Sequence, residues 1–171
     1  MRFRHCLPAC ALAFLAAAPA LAQSSAFPAG RSYIVQMSSS QAGSGYAQYL
    51  VGPLVKAMNA TGLVSKGAKD AEFAATLDTS ADVGKWFGKG EARRWLYTRK
   101  VLVGLSPANY KTPPLKDLTE VPAFGVTASL ITENEDRTDE LACLVDLATR
   151  TLAERYTLKG RVAVDGQGCK R

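Results

Sequence analysis

Apolar and polar residues alternate through SYIVQMS (32–38), the period-two signature of a half-buried strand. A helical period follows: Tyr46, Leu50, Leu54, Ala57 and Met58 fall on one face of a helix over about 46–61, and Gly62 is its natural C-terminal stop. Pro53 lies inside that span and removes the bond to the Tyr49 carbonyl. Either the first turn is kinked, or the regular helix begins near Pro53. Period two returns over 72–87, where Phe73, Ala75 and Leu77 share a side, and again up to Ser106, where Trp95, Tyr97, Val101, Val103 and Leu105 do. Gly88-Lys89-Gly90 between these segments predicts the turn of one long hairpin. Beyond a Pro-containing connection over 106–122, AFGVTASLIT reads as a further strand. Leu141, Val145, Ala148 and Leu152 mark the inward face of a second helix over about 136–156, and GRVAVD (160–165) reads as a last short strand. The order β-α-β-β-β-α-β predicts an α+β domain over 32–171. Its expected core is a mostly antiparallel five-stranded sheet with two helices on one face, close to a split β-α-β with an added strand.

Ahead of this pattern the chain has a different character. Arg2 and Arg4 form a basic start, LPACALAFLAAAPA an apolar core shorter than the roughly 20 residues of a spanning helix, and Ala20-Leu21-Ala22 a small-x-small cleavage site. Residues 1–22 therefore read as a signal peptide, and 23–31, with their Ser, Pro and Gly, as a flexible leader. The expected compartment is periplasmic or secreted. Cys10 precedes most of the apolar core, which argues against lipidation there.

Cleavage changes both charge and chemistry. Losing Arg2 and Arg4, with no acid in 1–22, lowers the net charge from +6 to +4. The only histidine, His5, leaves with the signal, along with Cys6 and Cys10. What remains excludes Ser-His-Asp and Cys-His catalysis and His-based zinc sites. Cys143 and Cys169 are an even pair in an exported chain and read as one disulfide. Cys143 lies about 200° around its helix from Leu141, away from the core face, where a tail returning along the last strand reaches it.

The remaining constellations carry no cofactor or metal signature. SSSQAGSG (38–45) has glycines ahead of a helix, but no Gly-Lys-Ser/Thr follows and G-x-G-x-x-G is missing. Glu133, Glu135, Asp136, Asp139 and Glu140 lack EF-hand spacing and glycine, and fit acids that offset a helix macrodipole. No cofactor and no metal is expected. A small hydrolase working with carboxylates, serines or lysines stays open as an alternative function.

One stretch stands out. GKWFGKGEARRWLYTRK (84–100) holds six basic residues, four aromatics and one acid. If Lys89-Gly90 centres a tight turn, Lys85 faces Arg94 and Trp86 faces Arg93. The second pair suits a cation–π contact, while the first opposes like charges and disfavours that register. Either the register is shifted or splayed, or the tip awaits an anion. Lys85, Trp86, Lys89, Arg93 and Arg94 are the candidate binding residues, with a solvated hairpin tip as the alternative. Basic-plus-aromatic composition also occurs in nucleic-acid binders, but an exported chain meets little nucleic acid. An envelope protein or an anionic envelope component is the expected partner.

YIVQM, the helix ending NATGL, and AEFAATLDTSADVG together resemble the strand–helix–strand core of small bacterial periplasmic domains. That group includes the TolB amino-terminal domain and the penicillin-binding-protein activator and curli-secretion lipoproteins. The resemblance implies a non-catalytic accessory role in the envelope and transfers no functional residue.

Overall fold

The computed structural model describes residues 26–37, 45–110, 121–134 and 137–171. The expected signal peptide, the start of the leader, most of the SSSQAGSG loop, much of the Pro-containing connection, and Glu135 and Asp136 lie outside the described residues.

The elements run β1 (Ser32–Met37), α1 (Gly45–Ala60), β2 (Val64–Ser65), β3 (Phe73–Ala81), β4 (Lys85–Phe87), β5 (Arg94–Pro107), β6 (Phe124–Thr132), α2 (Thr138–Glu154) and β7 (Gly160–Asp165), with short 3-10 turns at Gly90–Ala92 and Gln167–Cys169. The sheet has the order β2-β1-β3-β5-β6-β7, with β4 paired to β5. The α+β class is as expected, but the sheet is a correction: seven strands instead of five, and mixed instead of mostly antiparallel. β1 pairs in parallel with β2 and β3, and β6 with β7, while β3, β4 and β6 pair antiparallel with β5. The reason is topological. Each helix connects two strands that lie side by side, and a helical crossover is what joins parallel neighbours. The parallel pairs are adjacent, so this is no split β-α-β. Of the two further strands, β2 has only two residues, too few for a period, and β4 is the far end of the strand expected over 72–87, which breaks after Ala81.

Register explains where the core sits. Val35, Ala75, Leu105 and Phe124 occupy one cross-strand row, and Met37, Leu77, Val103, Val126 and Val162 the next. This side meets Leu50, Leu54 and Met58 of α1 and Leu141, Leu144, Val145, Ala148 and Leu152 of α2, all buried. The expected helix faces are thus the observed ones at these positions and at Ala57, while the side chain of Tyr46 lies outside the described residues. At full burial each such leucine or valine stabilises the fold by about 1.5–3 kcal/mol. α1 continues from Gly45 through Pro53, so the helix does not begin at the proline. Tyr49, whose carbonyl loses its donor, is exposed. No helix among the described residues is long and apolar enough to cross a membrane.

Both ends of the described chain are tied down. Phe27 packs edge-to-face on Tyr156 at 5.7 Å between centroids, Gly30 N–H donates to the Gly62 carbonyl, and Arg31 pairs with Glu72. These three contacts involve residues of the leader expected over 23–31. Cys143 and Cys169 form the expected disulfide, with Cα atoms 5.6 Å apart. Two acids do sit in the first turn of α2, Asp139 and Glu140. Glu140 is more than a dipole partner: only 2% exposed, it accepts the Arg171 N–H at 2.9 Å and lies 3.8 Å from the Arg137 guanidinium.

Candidate functional site

β5 outruns the sheet. Its last partner in β6 is Thr132, opposite Tyr97, and β3 stops at Ala81, opposite Arg99. Past these points Arg94–Leu96 pairs only with β4 among the described residues, as a two-stranded arm. Between Ala81 (opposite Arg99) and Lys85 (opposite Leu96), three residues on one strand oppose two on the other. This is a bulge, and it reverses the alternation. Before it, odd residues of β3 share a face with odd residues of β5; after it, Trp86 shares a face with Trp95. Gly84 makes the junction possible, because a Cβ there would collide with the Trp95 indole and the Tyr97 ring.

The observed pairing corrects the expected one. Lys85 lies opposite Leu96, Trp86 opposite Trp95 and Phe87 opposite Arg94. The connection is no two-residue turn centred on Lys89-Gly90 but a six-residue loop, 88–93, built around the 3-10 turn and carrying positive φ at Gly88 (87°) and Gly90 (55°). The physical cause was visible in part: direct Lys85–Arg94 opposition is unfavourable, and the observed register sets each cation across from an apolar residue. The Arg93–Trp86 contact survives the shift. The Arg93 guanidinium carbon stands 4.7 Å from the indole centroid, within cation–π range.

All five expected binding residues come together on this arm. Lys85 and Trp86 lie on β4, Lys89 just before the 3-10 turn, Arg93 just after it, and Arg94 at the start of β5. Arg94 Nη1 donates to the carbonyls of Glu91 (2.9 Å) and Arg93 (3.1 Å), bracing the loop. Trp86 and Trp95 meet edge-to-face, 5.3 Å between centroids. They stay 54% and 39% exposed, and Phe87 is 38% exposed. Phe87 and Trp95 were not among the expected residues. Their signal was present in KWF and RRW, but only the register shows that they crown the same ribbon. At the arm's base Lys100 pairs with Asp82 at 3.7 Å.

Among the described residues, clefts lie at three other places. The first, about 460 Å³, separates α1 from α2 beside Gly52, Pro53, Ala57, Ala142 and Asp146, and Asp146 is bonded to Arg150 at 3.0 Å. The second lies on the sheet face away from the helices, beside Gln36, Thr76, Ser106 and Tyr110. The third borders Glu133, Arg137 and Arg171. None of the three is lined by more than one carboxylate.

No family model matches the chain, and no curated protein matches it. Among solved structures it is similar to a minor lipoprotein from Acinetobacter baumannii, at 11% identity and a TM-score of 0.43, over 73% of this chain and 91% of that one.

Proposed function

We propose that the protein is an exported, non-catalytic accessory module that docks on an anionic component of the cell envelope through the β4–β5 arm. One observation carries this reading: the arm gathers Trp86, Phe87, Trp95 and four cations, all exposed, on a ribbon that lies outside the helix–sheet core. Large aromatic groups kept in water cost stability unless something else covers them. Four cations beside a single acid, Glu91, favour an anionic cover. Export is supported by the basic-then-apolar segment before residue 23 and by the disulfide, which suits an oxidising compartment.

The chain supplies its own probe. Its two tryptophans, Trp86 and Trp95, are both in the arm, so intrinsic emission reports on that surface alone. Titration with soluble polyglutamate at low ionic strength is expected to give a saturable emission change that added salt reverses. An emission spectrum that stays constant through the titration would overturn the docking role.

A further inference from the structure

β7 (Gly160–Asp165) is the last strand at one end of the sheet, and among the described residues its outer edge is open. Its backbone groups divide between two directions. Gly160 N–H donates to the Ala123 carbonyl at 3.0 Å and Gly166 N–H to the Ser129 carbonyl at 2.7 Å, so the even-numbered residues turn theirs towards β6. By alternation Arg161, Ala163 and Asp165 turn theirs outward, and all three are exposed. Such a row of unpaired N–H and C=O groups is a template for another strand.

The side chains select which strand. RVAVD (161–165) has a cation at one end, an anion at the other and apolar residues between, so it complements its own reverse. Antiparallel pairing of two copies about Ala163 sets Arg161 against the partner's Asp165 and Val162 against the partner's Val164. The Arg161–Asp165 and Ala163–Ala163 pairs then fall on the outward-turned residues, where facing residues exchange both N–H···O bonds. Parallel pairing in register would instead set each charge against its like, which is unfavourable. Within β7, the register centred on Ala163 is the one that pairs both charges. Val162 and Val164 pack towards the helices, so Arg161 and Asp165 share the opposite face and meet on it in the joined sheet. Among the described residues neither charge takes part in an ion pair of its own chain. Arg161 Nη1 donates to the Pro122 carbonyl at 3.2 Å and Asp165 Oδ1 accepts the Gln167 N–H at 3.0 Å, which leaves further donors and a second carboxylate oxygen. We infer that the protein pairs with a second copy of itself through β7, as a two-fold dimer whose sheets join edge to edge. The contact uses each copy's β7 once and therefore closes at two subunits. The arm takes no part in it, so this inference stands apart from the docking role.

The test is sedimentation equilibrium of the full-length mature protein, loaded from low micromolar to millimolar concentration. A monomer–dimer equilibrium is expected. Arg161→Asp and Asp165→Arg each set like charges opposite one another at both ends of the contact, and each should weaken self-association about tenfold or more. Mixed together, the two variants complement each other, and the mixture should dimerise as the wild type does. Ala163→Pro removes an outward N–H at the centre of the contact and no bond within the described chain, a change that an edge strand tolerates. It should abolish dimerisation while the protein still melts close to the wild type, and it keeps the test decisive where a charge variant fails to fold. A wild type that stays monomeric at every concentration overturns the inference. So does a dimer that persists in Ala163→Pro, and so does a mixture of the two folded charge variants that stays monomeric.

Discussion

A methyl group at Gly84 would run into the Trp95 indole and the Tyr97 ring, at the point where β3 gives way to the arm. Gly84→Ala is therefore expected to destabilise the protein by about 1–3 kcal/mol through overpacking and to alter the tryptophan emission of the free protein, both readable in one thermal melt followed by fluorescence. Glu72 gives a second residue-scale expectation. It accepts the Ser32 N–H at 3.2 Å and pairs with Arg31, which holds its carboxyl below the ordinary 4.5. A carboxyl with a lower pKa folded than unfolded adds stability above its ordinary pKa, and that stability is lost as pH falls through the folded value. Glu72→Gln should accordingly melt below the wild type at neutral pH, and the two curves should converge in acid below the folded pKa. Single residues were legible unevenly. Lys85, Lys89, Arg93 and Arg94 announced themselves by charge, whereas Gly84 did not, because its role depends on rings brought over it from the opposite strand.

At the scale of elements, the disulfide joins Cys143 of α2, half-buried against the core, to the buried Cys169 of the tail behind β7, and closes a loop of 26 residues. Cys143→Ser should lower stability by about 3 kcal/mol, a melting-temperature drop on the order of 10 °C, without changing the arm's emission or its response to polyglutamate. Element boundaries followed the sequence well wherever one face is buried. Leu141, Val145, Ala148 and Leu152 mark α2, and GRVAVD coincides with β7. Two features were hidden for physical reasons. Strand direction is not written in a period-two pattern, so the parallel pairing of β1 with β3 and of β6 with β7 was missed, and only the helices between strands pointed to it. The bulge before Lys85 adds one residue to one strand, and a single-residue shift reverses every facing downstream. The tight turn expected at Lys89-Gly90 placed Lys85 against Arg94, where the six-residue loop and the bulge together place Leu96.

At the scale of the whole molecule, the described chain divides into a helix–sheet core and an arm that lies outside it, the proposed docking surface. α1 and α2 cover one face of the sheet, the disulfide and the Arg31–Glu72 pair fasten the described ends, and the arm projects from the far end of β5 with its aromatics uncovered. This division makes binding and stability separable. Because the observed register already keeps Lys85 and Arg94 from direct opposition, removing the tip's charge relieves little strain. The triple substitution Lys89→Ser, Arg93→Ser and Arg94→Ser should shift unfolding free energy by no more than about 1 kcal/mol. The most direct measurement is the salt dependence of polyglutamate affinity for the wild type and this triple variant, read from tryptophan emission. A markedly weaker affinity and a shallower salt dependence are expected in a variant that melts almost as the wild type does. Equal affinities with equal salt dependence would contradict it, and would reduce the arm to a solvated turn.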